Sequence, residues 1–521
     1  MNETVLALDL GTGGCKASLW TAAGTCLSEA VTGYPTRHPA VGWNEQRPRD
    51  WWDAAVSSTR ALLERVPGAR IAGIALSGQS LGAVMLDGHA EPVQESTPIW
   101  SDARAAAEAA EFFSAVPEHT WYATTGNGFS PALYPIFKAM WFRRHVPDAW
   151  RRARVLVGSK DYVNHRLTGV LATDHSYASG SGAYDLVARR YDTAFLDAAG
   201  LGADVFPEIM EATDTVGTVT AEAAAALGVP VGTPVLAGAV DNACMALGSR
   251  GTAPGRVFAS LGSSSWITVT AERPVLDAGS RPYVFTHAVP GLFISALSTF
   301  SSGTSIAWLR DLIAPGTEIG DLVSEACQAP PGSRGALMLP MLSGGTPAEG
   351  GPAARGVLMG LDLAHGRADL ARAGLEGVAF ALRRGLDTMR SLVDCEPELL
   401  ISGGGSRHPG WNQIYADVLG APLVRTAVDR QAATLGAAAV AFVGLGLWPG
   451  FDRADTPHVP VERYEPDPAA RDAYEPARRR FDAAVRALAD LQNSAVPGPD
   501  PGDAASPGSP PDPSPPGDHR G

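Results

Sequence analysis

The sequence predicts an α/β protein in which two similarly built domains face a cleft. Short apolar segments of β-forming residues alternate with Ala-rich segments of helical periodicity along most of the chain. Each half opens with a strand, a turn of small residues and a second strand. The length of 521 residues allows two to four domains, and the repeated opening pattern favours two.

The first half begins with strands predicted at residues 5–10 and 16–20, joined by the turn Gly11-Thr12-Gly13-Gly14. Residues 22–24 turn the chain into a third strand at 25–31. A helix at 51–65, a strand at 71–77 and a helix at 104–113 follow.

The second half begins with strands predicted at 257–261 and 266–270, separated by Gly262-Ser263-Ser264-Ser265. A long amphipathic helix at 369–391, a strand at 399–402, a helix at 408–419 and a helix near 471–491 follow. We therefore expect domains at 1–248 and 249–492. Residues 493–521 are expected to form a disordered tail, since residues 496–521 contain nine prolines and no apolar periodicity.

Charge and cysteine content narrow the functional classes. The 41 basic and 55 acidic side chains give a net charge of −14, which argues against a nucleic-acid or anionic-membrane partner. The five scattered cysteines have no CxxC spacing, which argues against a disulfide scaffold or zinc knuckle. The longest apolar stretch, 435–448, is too short to span a bilayer and predicts a buried core helix. With no secretory signal at the N-terminus, we expect a cytoplasmic protein.

The first motif that indicates a ligand-binding site is Asp9 followed by the turn Gly11-Thr12-Gly13-Gly14. Free backbone N–H groups of such a turn can bind a phosphate, and Asp9 can hold the accompanying Mg²⁺ through water. It is neither a P-loop nor a dinucleotide fingerprint, because both require a glycine-rich segment that opens a helix. An ordinary β-hairpin is the alternative.

Two further motifs fit a phosphate-transfer site. The turn Gly262-Ser263-Ser264-Ser265 also lies between two strands, and two such turns could hold one polyphosphate from both sides. Asp241 lies between an apolar strand and a helix of small residues. It could act as a general base toward a substrate hydroxyl, or it could simply be a helix N-cap.

The fourth motif is the strand ending at Ser402 and running into Gly403-Gly404-Gly405. Glycines allow a flat purine ring to approach the backbone closely. A structural strand-to-helix turn is the equal alternative.

These four motifs in this order resemble the FGGY family of carbohydrate kinases, within the actin/hexokinase/chaperone ATPase superfamily, over residues 4–490. The segments 42–46, 99–104, 134–142 and 356–361 resemble the family as well. Lys160-Asp161-Tyr162, 167–169 and 172–174 resemble xylulokinases in particular.

The resemblance implies two actin/hexokinase-like (ribonuclease H-like) domains flanking an ATP-binding cleft, and phosphorylation of a primary hydroxyl of a small ketose or polyol. It implies that Asp9 serves Mg²⁺, Asp241 is the catalytic base and Lys16 offers positive charge near the transferring phosphoryl group. The implied ATP-binding residues are Gly11, Thr12, Gly13, Gly262, Ser263, Ser264, Gly303, Gly403 and Gly404. The implied substrate-binding residues are Gln79, Ser80, Leu81, Trp100, Asp241, Asn242 and Trp266, with core packing as the alternative for Trp100.

Departures from the family pattern concern the acceptor. Xylulokinases usually carry Gln-Met-His-Gly where this chain has Gln79-Ser80-Leu81-Gly82, so a polar contact to the ketose is missing. The Arg-Glu pair by which glycerol kinases hold their polyol is absent too. D-xylulose is the first expectation, with ribulose, glycerol, erythritol or a non-catalytic nucleotide-binding protein as alternatives. The dinucleotide-binding fingerprint of a dehydrogenase is absent from the sequence. A homodimer is compatible with the sequence.

Overall fold

The computed structural model describes residues 3–493 and contains, within this range, two seven-stranded mixed sheets, one in each half of the chain. Both sheets are flanked by helices, which confirms the predicted α/β class. The predicted tail at 493–521 lies almost wholly outside the described residues. Within them, no helix is long and apolar enough to cross a membrane.

The six elements whose bounds were predicted in the first half lie within three residues of their observed bounds, and no bounds were predicted for the other elements of this half. The strands are β1 Thr4–Leu10, β2 Gly14–Thr21, β3 Cys26–Gly33, β4 Glu45–Gln46, β5 Ile71–Gly78, β6 Val84–Leu86, β7 Thr97–Pro98, β8 Val155–Val157, β9 Thr173–Asp174, β10 Tyr184–Asp185, β11 Arg190–Tyr191, β12 Ile209–Met210, β13 Thr215–Thr218, β14 Pro234–Leu236 and β15 Ala239–Val240. The helices are α1 Pro48–Arg65, α2 Ala106–Ala115, α3 Glu118–Thr125, α4 Pro135–His145, α5 Pro147–Arg152, α6 Ser159–Thr168, α7 His175–Ser179, α8 Thr193–Ala198, α9 Ala221–Leu227 and α10 Asp241–Leu247.

The second half continues the same alternation of strands and helices. Its strands are β16 Val257–Leu261, β17 Ser265–Ala271, β18 Tyr283–Thr286, β19 Phe293–Thr299, β20 Leu337–Leu339, β21 Val357–Met359, β22 Leu399–Ser402, β23 Leu423–Thr426 and β24 Pro460–Tyr464. Its helices are α11 Gly303–Ile313, α12 Ile319–Ala326, α13 Arg367–Leu392, α14 Pro409–Leu419, α15 Ala432–Gly444 and α16 Pro468–Asn493.

The two large sheets share one plan. In the first, β1, β2 and β3 are joined antiparallel, and β5 lies parallel to β1 on its other side. In the second, β16, β17 and β19 are joined antiparallel, and β22 lies parallel to β16. The repeated opening pattern in the sequence therefore corresponds to a repeated topology.

Strand β1 is buried on both faces because helices cover the two sides of its sheet. Helix α1 packs against β1, β2 and β3, while α15, from the second half of the chain, packs against β1 and β5. Such two-sided burial explains why residues 4–10 read as a nearly unbroken apolar run. The apolar stretch predicted as a core helix is α15, nearly all of which is buried.

Candidate functional site

The candidate site lies where three parallel strands of the first sheet end together. Asp9 is near the end of β1, Ser77 faces it on β5, and β15 pairs with the same end of β5 and leads directly to Asp241. The Ser77 hydroxyl donates a 2.7 Å hydrogen bond to Asp9 Oδ1. Since parallel strands bring their carboxyl ends to one edge, residues distant in sequence meet here.

Asp241 is the first residue of α10 and not its N-cap, so the alternative role suggested by the sequence is wrong. The N-cap position belongs to Val240. The Asp241 carboxylate accepts a 2.8 Å hydrogen bond from the backbone N–H of Asn242. The carboxylate is therefore held by backbone donors at the start of the helix.

Burial and the neighbouring Asp9 carboxylate raise the pKa of Asp241 to about 7, against the lowering effect of backbone hydrogen bonds from Asn242 and Ser80. Burial also raises the pKa of Asp9, while Ser77 and Lys16 lower it. A carboxylate with a pKa near neutrality can accept a proton and release it again under physiological conditions.

The first turn presents backbone N–H groups and keeps its carbonyls engaged elsewhere. The Gly11 carbonyl accepts the hydroxyl of Tyr34, and the Gly13 carbonyl accepts the N–H of Tyr34 at 3.3 Å. The Gly14 carbonyl accepts the Gly11 N–H at 3.1 Å. Within the described residues, the Thr12 and Gly13 N–H groups have no partner. Such adjacent free donors form an anion-binding nest.

The second turn has the same arrangement. Gly262 N–H bonds to the Ser264 carbonyl at 2.9 Å, and the Ser263 carbonyl accepts the N–H groups of Ser302 and Thr304 at the start of α11. The Ser263 and Ser264 N–H groups are without a hydrogen-bond partner in the described part of the chain. Both turns that the sequence singled out can therefore bind an anion.

The predicted nucleotide residues of the second half converge on this turn. A Cβ at Gly303 would lie 2.7 Å from the Gly262 carbonyl oxygen. Gly403 has a φ of +96°, and its Cβ would lie 2.6 Å from the carbonyl oxygen of Leu261. Gly404 faces open space. The glycines therefore bring three chain segments together and leave one face free for a flat ring.

Lys16 lies directly opposite Asp9 in the β1–β2 ladder, which places both side chains on the same face of the sheet. Its amine donates a 2.7 Å hydrogen bond to the carbonyl of Arg430, in the second half of the chain. Its predicted role toward a phosphoryl group stays a prediction.

The predicted sugar residues Gln79, Ser80 and Asn242 are adjacent to the two carboxylates. Gln79 N–H bonds to the Leu10 carbonyl at 3.0 Å, just past Asp9. Asn242 Nδ2 donates to Ser80 Oγ at 3.3 Å. The Oε1 of Gln79 is buried and has no hydrogen-bond partner in residues 3–493. An orphaned buried acceptor is costly unless a ligand supplies a donor.

Trp100 is 40% exposed and donates its indole N–H to Thr12 Oγ1 at 2.9 Å, so the alternative of core packing is wrong. Leu81, in contrast, is buried in the apolar core, with its Cδ2 close to Gly180. Trp266 is half-buried on β17, with its ring 6.3 Å from that of Tyr283. Contact of Leu81 or Trp266 with a substrate stays a prediction.

Several supporting residues were given no role by the sequence. Tyr34 holds the first turn, Gln46 donates to the Thr12 carbonyl at 2.7 Å, and Lys138 donates to the Leu81 and Ile99 carbonyls at 2.9 and 2.7 Å. Gln46 and Lys138 lie in segments that resemble the family. Only the tertiary contacts show what they do.

A divalent cation would fit the carboxylate pair. The described residues contain no cluster of three His, Cys, Asp or Glu side chains that could enclose a metal. Mg²⁺, however, usually takes one or two carboxylates and completes its shell with water and phosphate oxygens. Asp9 supplies such a carboxylate, and the repulsion it exerts on Asp241 is what a cation would relieve.

The arrangement suits phosphoryl transfer to a hydroxyl, and comparisons with known proteins agree. The model of the N-terminal domain of the FGGY family of carbohydrate kinases matches residues 4–248, and that of the C-terminal domain matches 257–445. A xylulose kinase of Escherichia coli K12 is 30% identical over 478 residues, 91% of this chain and 97% of the relative.

Two further proteins are similar over nearly the whole chain. An autoinducer-2 kinase of Escherichia coli (strain ATCC 8739) is 31% identical over 92% of this chain and 93% of its own. The crystal structure of a xylulose kinase from Rhodospirillum rubrum superposes with a TM-score of 0.87 at 31% identity, covering 94% of this chain and all of that one.

Proposed function

Since this chain belongs to the FGGY family of carbohydrate kinases, and is thus an ATP-using sugar kinase with two actin/hexokinase-like domains, we propose that its acceptor is D-xylulose. The reaction would transfer the γ-phosphoryl group of ATP to a primary hydroxyl and yield D-xylulose 5-phosphate and ADP. The acceptor is supported by the xylulose kinases among its relatives. The chemistry is supported above all by the buried Asp9–Asp241 pair, at the edge where the amide-lined Gly11–Gly14 turn follows β1.

Asp241 is the base in this proposal. Its carboxylate, with a pKa of about 7, orients the acceptor hydroxyl and takes its proton as the oxygen attacks phosphorus. The proton then resides on Asp241, and the bond from the γ-phosphorus to the bridging oxygen of ADP breaks. Positioning of the two reactants supplies much of the remaining rate.

The phosphates are held chiefly by main-chain donors. The free N–H groups of Thr12 and Gly13 on one side, and of Ser263 and Ser264 on the other, bind oxygens without adding net charge. Asp9 would hold Mg²⁺, which when bound offsets negative charge on the phosphates. The open face of Gly404 would receive the adenine ring.

The sugar lies beside Gln79 and Asn242 in this proposal. A sugar hydroxyl would donate to the orphaned Oε1 of Gln79, and the amide of Asn242 would contact a second hydroxyl. Trp100 would lie against a carbon face of the sugar. Buried polar groups that remain unpaired without the correct hydroxyl discriminate strongly between substrates.

A screen of ADP release over D-xylulose, D-ribulose, glycerol, erythritol and gluconate tests the acceptor. We expect D-xylulose to give the highest kcat/KM, with the Asp241→Asn variant as the inactive control. Preference for another acceptor would reject D-xylulose but retain the kinase. ADP release that stays flat for every compound, with ATP binding intact, would indicate a non-catalytic nucleotide-binding protein.

A further inference from the structure

Gln46 lies at the end of β4, fully buried between the first turn and the loop that follows β5. Its Nε2 donates to the Thr12 carbonyl at 2.7 Å and to Thr36 Oγ1 at 2.9 Å. Its Oε1 accepts from Trp51 Nε1 at 2.9 Å and from Gln79 Nε2 at 2.8 Å. All four hydrogen-bonding positions of the amide are therefore used.

The orientation of this amide is fixed by chemistry. The indole N–H of Trp51 can only donate and the Thr12 carbonyl can only accept, so the oxygen of Gln46 must face Trp51 and its nitrogen Thr12. It follows that Gln79 must direct its nitrogen toward Gln46. The atom of Gln79 left without a partner is then the acceptor Oε1.

The hydrogen bond from Gln46 to the Thr12 carbonyl fixes the direction of a backbone N–H group in the first turn. The Thr12 carbonyl and the Gly13 N–H belong to one planar trans peptide unit, so they point in opposite directions. Holding this carbonyl toward Gln46 therefore directs the Gly13 N–H away from Gln46. That N–H is one of the two free donors of the first turn.

We propose that Gln46 is a positioning residue that couples sugar binding at Gln79 to nucleotide binding at the Gly11–Gly14 turn. The inference rests on the proposed function, which places the sugar at Gln79 and phosphates at the turn. A hydroxyl bound to Gln79 Oε1 orders its amide and, through Gln46, the peptide unit that presents the Gly13 N–H. ATP phosphates then meet a donor already aligned, and by linkage bound nucleotide tightens sugar binding by the same factor.

Calorimetric titration of the full chain with a non-hydrolysable ATP analogue, with and without saturating D-xylulose, measures this coupling. In wild type we expect D-xylulose to lower the Kd of the analogue by about 5-fold or more. Gln46→Met keeps the length of the side chain but removes all four hydrogen bonds. In this variant the ratio of the two Kd values should fall toward one.

Thr36→Val is the matched control, because it removes one hydrogen bond of Gln46 while leaving the path from Gln79 to Thr12 intact. It should retain the wild-type ratio. The inference is overturned if wild type shows no coupling, or if Gln46→Met couples as strongly as Thr36→Val. If wild type nevertheless releases ADP with D-xylulose, the proposed function stands although the inference fails. If wild type neither binds nor phosphorylates D-xylulose, both the proposed function and the inference are rejected.

Discussion

At the residue scale, the chemistry that we propose for the site depends on the paired carboxylates Asp9 and Asp241. Both lie at strand ends, and the interior around them offers little solvation of charge. The pKa of Asp241 is raised to about 7 by burial and by Asp9. Ionisation of such a carboxyl group is unfavourable in the absence of a nearby positive charge, and the carboxylate is correspondingly effective as a proton acceptor.

Replacing Asp241 by Asn should lower kcat by about 10²-fold or more, because general-base assistance of about 10²–10⁴-fold is lost. The folded-state pKa of Asp241 lies above the value of 3.8 in the unfolded chain. Between about pH 4 and 7 the unfolded chain therefore ionises this carboxyl group while the folded chain does not, and wild type loses stability as pH rises. The stability of Asp241→Asn relative to wild type should therefore rise over this range and stay constant above pH 7. Steady-state kinetics measure the loss of kcat, and thermal unfolding at pH 5 to 8 measures the stability difference. Near-wild-type turnover of the variant would reject the assignment of Asp241 as the base.

The same pKa predicts the pH dependence of wild type. Below its pKa Asp241 is protonated and cannot accept the hydroxyl proton, and Mg²⁺ held by Asp9 would lower this pKa from about 7, so kcat/KM for the sugar should fall along an acid limb at or below pH 7. A profile of kcat/KM between pH 4.5 and 9 measures this limb. A profile that is flat over this whole range would contradict the assignment.

Lys138 holds two loops of the proposed sugar site from within the core. Its amine is fully buried on α4 and, among the residues that the structure describes, bonds only to the carbonyls of Leu81 and Ile99, which belong to the loops carrying Gln79 and Trp100. Leu81 has a φ of +58°, a left-handed conformation that a branched residue adopts only when its surroundings enforce it. Burial lowers the pKa of Lys138 to about 7, while Asp102 raises it.

Lys138→Met should therefore raise the KM for the sugar by about 10-fold, since two hydrogen bonds that hold the loops are lost. The Kd for the ATP analogue, measured without sugar, should stay within about 2-fold of wild type, because Lys138 makes no hydrogen bond to either turn within residues 3–493 and reaches the first turn only indirectly, through the Trp100–Thr12 and Gln79–Gln46 hydrogen bonds. Initial rates over sugar concentration and calorimetric titration with the analogue give the two quantities. Equal losses in both would indicate general destabilisation instead of positioning.

At the element scale, the helices α10 and α15 cross at unusually close range. A Cβ at Gly248, the C-cap of α10, would overlap the Ala432 carbonyl, and a Cβ at Gly436 would overlap the Cys244 carbonyl. Helix α10 begins with Asp241 itself. Two glycines thus permit a contact through which the second half of the chain supports the helix that begins with the proposed base.

Gly436→Ala should destabilise the protein by about 1–3 kcal/mol or more, because the added methyl group forces the two helices apart. Gly385→Ala is the matched control within α13, where a Cβ would meet only Leu297 at an ordinary 3.6 Å. It should be neutral or stabilising by up to about 1 kcal/mol, since Ala is the better helix former. Denaturant unfolding of both variants measures the difference, and equal stabilities would contradict the close crossing.

At the scale of the whole molecule, the two halves share a core. One apolar cluster contains Trp20 and Leu236 from the first half together with Phe258, Leu400 and Val440 from the second. Edge strand β18 also packs on α7, and the Val284 N–H bonds to the Gly126 carbonyl at 2.9 Å. The predicted domain boundary near residue 248 stays a prediction. The apolar core contains residues from both sides of this position.

Calorimetry of the full chain should therefore show one unfolding transition with equal calorimetric and van't Hoff enthalpies. A saturating ATP analogue should raise the midpoint of the whole transition, because the analogue binds only the native state. Two resolved transitions, of which the analogue shifts only one, would show that the halves unfold independently.

Much of the fold was predictable because the relevant signals are local. The Gly and Ser turns, the strand ending at Asp9 and the long helix α13 follow from periodicity and turn chemistry within short windows. Trp100 was harder, because a tryptophan in a sequence does not reveal whether it packs inside or faces a cleft. Gln46 and Lys138 could not be assigned, since the partners that define their roles, namely Thr12 and Gln79 for Gln46 and Leu81 and Ile99 for Lys138, lie 33 to 57 residues away.

By itself the sequence determined the α/β class, the two similar halves, the four motifs and the family to which they belong. Only the tertiary structure decided that Asp9 and Asp241 share one buried edge, that burial and Asp9 raise the pKa of Asp241 to about 7, and that α15 covers one face of the first sheet. The reason is physical. Local backbone preferences are encoded by neighbouring residues, whereas desolvation and carboxylate repulsion arise only when strand order brings distant residues together.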